Sequence, residues 1–289
     1  MLKRVTSSFL LFSLATCSVF AEEIRISASD LLADYIRAPL ESFEEINAIS
    51  LDIQSIGSLP ALDNLRSDDV DLAIIAVPDV DSELREEFTL FPFAYGIAVI
   101  AVNVNNPIDE ITLAHLGGIY GDNEEFNLNT WGDLGLSGWG SRRIKPLTGP
   151  SETSISLELF KHSVFEASST KPSVAMVKDT EVEEIIAGDP ASIAVMSGIP
   201  KNKTVKAIMV SETADSPAFG PSEDNVHYGD YPIRLAFYIA FNQRDAEKLK
   251  PVLRLLLGDE VAAGLRKNEL FALPDTIRRK LIIDLDLEN

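Results

Sequence analysis

Short apolar segments alternate with amphipathic segments along most of the chain. Residues 24–27 alternate between apolar and polar side chains, as in a strand, and apolar residues at helical spacing follow from Leu31 to Phe43. Residues 70–77 are almost continuously apolar and end at Pro78, which is typical of a strand buried on both faces of a parallel sheet. The alternation of strand and helix patterns predicts an α/β fold.

Two long apolar segments, residues 93–103 and 235–242, flank the middle of the chain. Each is long enough to pass from one lobe into another, and a chain of 289 residues is longer than one core usually accommodates. We therefore predict a first lobe formed by residues 22–96 and 234–289, and a second lobe, residues 97–233, inserted into it. Ligands of such folds bind in the cleft between lobes, at the carboxyl ends of strands.

The pattern also makes local predictions. Pro39 is expected to kink the first helix or restart it, and residues 205–210 are expected to form one strand. Residues 215–230 are rich in Ser, Pro, Gly and Asp, which predicts a surface loop. A helix is expected to begin in the turn at residues 148–154 and to run to about Val164.

The N-terminus carries an export pattern. Lys3 and Arg4 precede an apolar run at residues 9–14, and residues 19–21 place small side chains at the two positions that a signal peptidase reads. We therefore predict that residues 1–21 are a signal peptide and that the protein is periplasmic. Residues 14–17 leave open a second cleavage site, with lipidation at Cys17. Cys17 is the only cysteine, so the mature chain offers neither a disulfide framework nor a thiolate metal site.

The charge of the chain is strongly negative. Its 25 basic and 45 acidic residues give a net charge of −20, and removal of Lys3 and Arg4 with the signal leaves 23 against 45, or −22. A field of this sign argues against nucleic acid or an anionic membrane as a partner. It also does not attract a free anion.

Three predicted strand-to-helix turns share one chemistry, because each places small or hydroxyl side chains where the first N–H groups of a helix are unpaired. Converging helix starts of this kind form anion sites. The turns are residues 27–30, 56–58 and 148–154.

These turns, with further motifs, carry a resemblance to a known family. The motifs are residues 116–134, the sequence WGSRRIKP at 139–146, Tyr231-Pro232-Ile233 and Phe271-Ala272-Leu273-Pro274. In sequence and order they resemble the periplasmic phosphate-binding proteins that feed phosphate ABC transporters, within the type II periplasmic binding protein superfamily. The resemblance implies a two-lobed fold, each lobe a mixed sheet flanked by helices, with a small anion such as phosphate bound between the lobes.

The resemblance also implies a set of ligand-binding residues. They are the first turn, Ser29, Asp30 and Leu31, then Gly57 and Ser58, and the hydroxyls of Ser151, Thr153 and Ser154. The family's Ser-Gly-Thr turn becomes Ser151-Glu152-Thr153 here. Glu152 repels an anion if it points into the cleft, and complements the helix dipole if it points outward.

Two charged groups of the family's phosphate site have no counterpart. The carboxylate that accepts the phosphate proton falls on Ala76, and the arginine before the Ser-Gly-Thr turn falls on Leu147. Asp79 and Arg143 are nearby in the sequence and are candidates to replace them. Since an arginine–oxyanion pair is roughly twice as strong as a neutral hydrogen bond, the loss predicts weaker and less selective anion binding.

The sequence carries no pattern typical of catalysis. It contains no Gly-x-Ser-x-Gly elbow, phosphate-binding Gly-rich loop or His-Glu-x-x-His motif, and the three histidines have no metal-ligand spacing. We therefore predict a monomeric binding protein rather than an enzyme, without cofactor or metal, that takes a small anionic or polar solute and serves an ABC permease. The alternative is a degenerate binding-protein fold that acts as an interaction or sensory protein without phosphate binding.

Overall fold

A computed structural model describes residues 23–47, 49–77, 82–123, 126–149, 154–165 and 169–287. These residues form two main sheets with helices packed on them, as the α/β prediction requires. The first sheet has six strands in the order β13-β4-β12-β3-β1-β2, and the second has five in the order β10-β5-β9-β7-β8.

The first sheet is mixed. Strand β3 pairs in parallel with β1, which pairs in parallel with β2, whereas β12 runs antiparallel to both β3 and β4. Its strands are β1 (Glu23–Ala28), β2 (Ser50–Ser55), β3 (Leu72–Val77), β4 (Thr89–Ile97), β12 (Arg234–Phe241) and β13 (Phe271–Ala272). The helices in the same parts of the chain are α1 (Ala33–Asn47), α2 (Ser58–Arg66), α3 (Ser82–Glu87), α8 (Ala246–Leu256), α9 (Asp259–Lys267) and α10 (Asp275–Leu287).

The second sheet is also mixed, with β7 parallel to β8 and β9, and β5 antiparallel to β9 and β10. Its strands are β5 (Val99–Asn103), β7 (Lys145–Thr148), β8 (Ala175–Met176), β9 (Ser192–Met196) and β10 (Val205–Ala207). A short parallel pair, β6 (Glu110–Thr112) and β11 (Met209–Ser211), lies beside it. The helices of this region are α4 (Leu113–Tyr120), α5 (Ile155–Val164), α6 (Asp179–Gly188) and α7 (Glu223–Tyr228).

The chain passes between the two sheets at a single buried residue, Ala98. The long apolar segment at 93–103 is two strands rather than one: β4 ends at Ile97 in the first sheet and β5 begins at Val99 in the second. The return strand approaches the same point, because the Ala98 N–H donates to Ile233 O at 3.2 Å and the buried Tyr231 hydroxyl donates to Ala98 O at 2.7 Å. The two connections between the sheets therefore lie side by side.

The structure corrects two local predictions, in each case because tertiary contacts prevailed. Helix α1 does not restart at Pro39 but continues through it, since Ile36 and Leu40 are fully buried and their packing holds the helix together across the missing N–H; a kink there stays a prediction. Residues 205–210 form two strands, β10 and β11, because the chain leaves β5 after Ala207 and pairs next with β6.

The predicted loop at 215–230 contains a helix, α7, which is a third correction. The Ser222 hydroxyl accepts the Asn225 N–H at 3.2 Å as an N-cap, and Val226 is fully buried. The cap was readable in the sequence, but the loop-like composition around it hid one turn and a half of helix. By contrast, the predicted helix ending near Val164 is confirmed as α5.

Within the described ranges, no helix is both long enough and apolar enough to cross a bilayer.

Candidate functional site

A cavity of about 910 Å³ lies between the two sheets and is lined by residues from both sides. The part of the chain that forms the first sheet and its helices contributes Asp30, Leu31, Gly96 and a segment at residues 268–270. The part that forms the second sheet and its helices contributes Gly149, the start of α5, the start of α6 and Ser197, which follows β9. The cavity is therefore the cleft that the two-lobed prediction anticipates.

The turn before α1 reaches this cavity through only two of its three predicted residues. Asp30 and Leu31 line the cavity, whereas Ser29 is buried and is not among the lining residues. The Ser29 N–H donates to Ile74 O at 2.7 Å, and its carbonyl accepts the N–H groups of Leu32 and Ala33. Ser29 thus anchors the turn to β3 and leaves its neighbours to face the cleft.

The turn before α2 has a different use. Gly57 has a φ of 86°, a left-handed value that favours glycine, and Ser58 begins the helix. The Ser58 hydroxyl accepts the Ala76 N–H at 2.8 Å, so it satisfies a backbone group at the end of β3. Neither residue is among those that line the cavity.

Helix α5 begins on the cavity wall. Ser154, Ile155 and Ser156 line the cavity, and the Ser154 hydroxyl caps the helix by accepting the Leu157 N–H at 3.2 Å. Ser151, Glu152 and Thr153 lie outside the described residues, so their predicted ligand contacts stay predictions.

Helix α6 also begins on this cavity, which the sequence did not lead us to expect. Lys178 precedes the helix, Asp179 is its first residue, and both line the cavity. Asp179 lies tightly against Gly149, where a Cβ atom would come within 2.6 Å of its Oδ1. The helix starts that meet in the described cavity are therefore those of α1, α5 and α6, with α6 in the place where α2 was predicted.

Glu269 and Ser197 complete the cleft floor and were also missed. The Ser197 hydroxyl is hydrogen-bonded to both the Asp179 and the Glu269 carboxylates. Glu269 has a φ of 62°, a left-handed conformation that is uncommon for a residue other than glycine. The start of an acidic helix at Asp179 could have been noticed in the sequence, but no pattern points to Glu269, whose position depends on how α9 packs.

The electrostatics of the cavity oppose a fully ionised anion. Its described lining carries four carboxylates and one ammonium group: Asp30, Asp179, Glu181, Glu269 and Lys178. Lys178 is itself paired with Glu181, with the Nζ 3.6 Å from Oε1. Burial is the main cause that raises the pKa of Asp179, and the nearby charge of Glu269 raises it further. The helix starts favour negative charge, but the side chains around them do not.

Of the two residues expected to replace the family's charged pair, only Arg143 lies in the described part of the chain, and it is not at the cleft. Arg143 lines a separate cavity of about 370 Å³ behind β7, together with the buried Leu147, and it is not among the residues that line the cleft cavity. Asp79 lies outside the described residues. Ala76 and Leu147, on which the resemblance places the family's acid and arginine, carry no charge.

Metal binding has no visible basis in the described part of the chain, where no cluster of three or more His, Cys, Asp or Glu side chains could hold an ion. The side chain of His227, in α7, is hydrogen-bonded to Tyr95 of β4, with its Nδ1 2.9 Å from the tyrosine hydroxyl.

The chain is similar to known phosphate-binding proteins over most of its length. It is 24% identical over 277 residues to the phosphate-binding protein PstS of Pseudomonas aeruginosa, covering 90% of this chain and 85% of that protein. A structure described as a possible phosphate binding protein from Planctomyces limnophilus superposes with a TM-score of 0.70 at 16% identity, covering 92% of this chain and 98% of that one. PstS from Borrelia burgdorferi gives a TM-score of 0.70 at 18% identity, with 88% and 99% covered.

At such identities the two structures show the fold alone, and they confirm the two-lobed binding-protein architecture. The sequence model of the PBP superfamily domain matches residues 19–260, which is most of the chain. The match includes every described strand except β13, and all the helix starts that meet at the cavity. The protein therefore belongs to the PBP superfamily.

Proposed function

We propose that the protein is an exported solute-binding receptor whose two lobes close on a small oxyanion such as phosphate. The observation that carries this proposal is the meeting of three helix starts, those of α1, α5 and α6, on one cavity between the sheets. Unpaired N–H groups and the positive ends of helix dipoles favour an anion at such a place. The similarity to a phosphate-binding protein over 277 residues supports the same ligand class.

The acidic lining modifies the proposal. Asp30, Asp179 and Glu269 repel a fully ionised anion, and the arginine that would offset them is replaced by Leu147. A protonated oxyanion suits the cleft better, because its hydroxyl group can donate a hydrogen bond to a carboxylate. We therefore propose a preference for phosphate, which keeps a proton near neutral pH, over sulfate, which does not.

Export, oligomeric state and partner belong to the same proposal. A signal peptide at residues 1–21 would place the protein in the periplasm, where a monomer would deliver its solute to an ABC permease. The absence of any catalytic motif in the sequence fits a receptor that binds and releases its ligand unchanged.

Isothermal titration of ligand-stripped, full-length mature protein tests the ligand class. Phosphate is expected to give a saturable binding heat. Sulfate, molybdate and small carboxylates are titrated separately for comparison. Absence of heat with all of them overturns the anion proposal.

A matched pair of lysine variants locates the binding. Lys178→Gln removes the ammonium group on the described cavity wall, and we expect phosphate affinity to fall about 2- to 5-fold at low salt, because the exposed charge is largely screened. Lys203→Gln, an exposed lysine away from the cavity, should leave the affinity unchanged. Equal effects of the two substitutions would place the anion elsewhere.

A second function, an interaction or sensory protein that has lost anion binding, is favoured by the acidic cleft together with Ala76 and Leu147. It predicts no binding heat with any oxyanion, and permease and ATPase genes should then be absent beside its own gene. Saturable phosphate binding would exclude this alternative.

A further inference from the structure

One hydroxyl group joins the two lobes at the floor of the cleft. Ser197 follows β9 of the second sheet, and its Oγ is hydrogen-bonded to Asp179, which begins α6, and to Glu269, which lies between α9 and β13 of the first sheet. Met196, just before Ser197, pairs with Val99 at the start of β5. The contact therefore lies close to Ala98, where the chain passes from one sheet to the other.

The contact has too few protons for two hydrogen bonds if both carboxyl groups are ionised. A serine hydroxyl has one proton and can donate to only one acceptor at a time. A second ionised carboxylate would face the hydroxyl lone pairs without a proton between them. The arrangement becomes complete when one carboxyl group keeps its proton and donates it to Ser197 Oγ, while the Ser197 hydroxyl donates to the other carboxylate.

Asp179 is the carboxyl group that can keep the proton. Its side chain is half-buried beside Gly149 and Val182, whereas the Glu269 side chain is 40% exposed and has Lys201 Nζ at 4.0 Å from its Oε1. Burial and the charge of Glu269 both raise the pKa of Asp179. Glu269 is the better hydrated of the two carboxyl groups and has a cation nearby.

The other charged groups around the contact do not supply a strong counter-charge. Lys201 is 86% exposed, so solvent screens its charge, and Lys178 is paired with Glu181. Arg266, which lines a neighbouring small cavity with Glu269, is paired with Glu223 and Asp275. Two further described acids add negative charge to this region: Glu183, on the same helix, raises the pKa of Asp179, and Asp30 lines the same cavity.

We propose that Asp179, Ser197 and Glu269 form a protonation-dependent contact between the lobes, in which one proton held by Asp179 bonds the second lobe to the first. The order of donors is Asp179 carboxyl to Ser197 Oγ, then Ser197 hydroxyl to Glu269. Loss of that proton leaves two like charges at the cleft floor and weakens the contact. The lobes are therefore held together more firmly as pH falls, a property of the protein that does not depend on which solute it binds.

Carboxyl-detected NMR titration of the ligand-free mature protein, from about pH 3 to pH 8, tests the proposal. Asp179→Asn identifies the Asp179 resonance by its disappearance. In the wild type the Asp179 midpoint should lie above that of an ordinary aspartate, and in Glu269→Gln it should fall, because the like charge is gone. Glu260→Gln, an exposed acid on the helix before Glu269, should leave it unchanged.

Ser197→Ala gives an independent test of donor order. If Asp179 donates its proton to Ser197, removing the hydroxyl lowers the Asp179 midpoint; if Ser197 instead donates to an ionised Asp179, the midpoint rises. An ordinary Asp179 midpoint, one that Glu269→Gln does not move, or a rise in Ser197→Ala overturns the proposal. Failure of phosphate to bind would overturn only the proposed function, since every measurement here is made without ligand.

Discussion

Two aspartates, the buried Asp71 and the half-buried Asp179, show how differently one residue type is used in the two lobes. Asp71 precedes β3 and accepts hydrogen bonds from the Arg25 backbone N–H at 2.8 Å and from its side chain, while Lys248 Nζ lies at 3.1 Å. Asp179 faces the cleft, with a hydroxyl and another carboxylate as its neighbours. The Asp71 carboxylate lies between two cations, whereas no cation of the described residues comes as close to the Asp179 carboxylate.

The pKa values of the two groups shift in opposite directions for this reason. Burial raises the pKa of Asp71, but the hydrogen bonds from Arg25 and Lys248 outweigh it and bring the pKa below its usual value. Burial raises the pKa of Asp179, and no cation among the described residues reverses the effect. Burial alone therefore does not decide what a carboxylate does; its partners do. The paired aspartate stabilises a sheet, and the unpaired one is available for protons or solutes.

Asp71→Asn should have the largest effect, because it leaves the Arg25 and Lys248 cations beside a neutral amide. We expect unfolding free energy to fall by about 2–3 kcal/mol near neutral pH, measured by urea denaturation. Since the folded pKa of Asp71 is lowered, its stabilisation is present above the unfolded pKa and is lost as pH falls through the folded value. The difference in unfolding free energy between the wild type and Asp71→Asn should therefore become smaller at acidic pH.

An exposed acid provides the comparison for Asp71. Glu260→Gln, on the surface of α9, should change the unfolding free energy by no more than about 0.5 kcal/mol. A similarly small effect for Asp71→Asn would mean that its ion pairs contribute little to the first sheet.

Gly149→Ala should disturb the Asp179 site by crowding it. The added Cβ would lie 2.6 Å from Asp179 Oδ1 and 3.3 Å from its Cα, and while the side chain can rotate away, the backbone must shift. We expect a loss of about 1–2 kcal/mol in thermal or urea unfolding. Gly138→Ala, where a Cβ meets nothing within 4 Å, is the matched control. Equal stabilities of the two variants would show that the Gly149 contact relaxes freely.

Asp179→Asn should do the opposite of Asp71→Asn and stabilise the protein near neutral pH, by about 1 kcal/mol or less, because it removes one of two like charges. The folded pKa of Asp179 is raised, so the favourable effect of its proton is fully present below the unfolded pKa and is lost as pH rises through the folded value. The higher unfolding free energy of Asp179→Asn relative to the wild type should thus be seen at neutral pH and become smaller at acidic pH. A destabilised variant at neutral pH contradicts this assignment.

Lys248→Met should have the smallest effect, since Arg25 keeps its hydrogen bonds to Asp71. A loss of about 0.5–1 kcal/mol is expected, with high salt reducing the difference from wild type. Lys203→Met on the surface should change nothing measurable. A loss as large as that of Asp71→Asn would identify Lys248, rather than Arg25, as the main partner of Asp71.

Much of the fold could be predicted from local patterns. The buried strands β3, β9 and β12 are continuous apolar runs, and α5 begins at a serine that caps it, so periodicity and capping placed them within a few residues. The family resemblance and the two-lobed fold were likewise readable in the sequence, because motif order along the chain is a one-dimensional property.

Contacts between distant segments were decided only by the tertiary structure. The chain changes sheets at Ala98 inside one apolar run, Ser58 turns to the backbone of Ala76, and Ser197 meets carboxylates 18 and 72 residues away. Periodicity reports which side of an element is buried, but not which other element covers it. The acidic floor of the cleft therefore emerged only when α6 and the segment after α9 were seen to meet at the same serine.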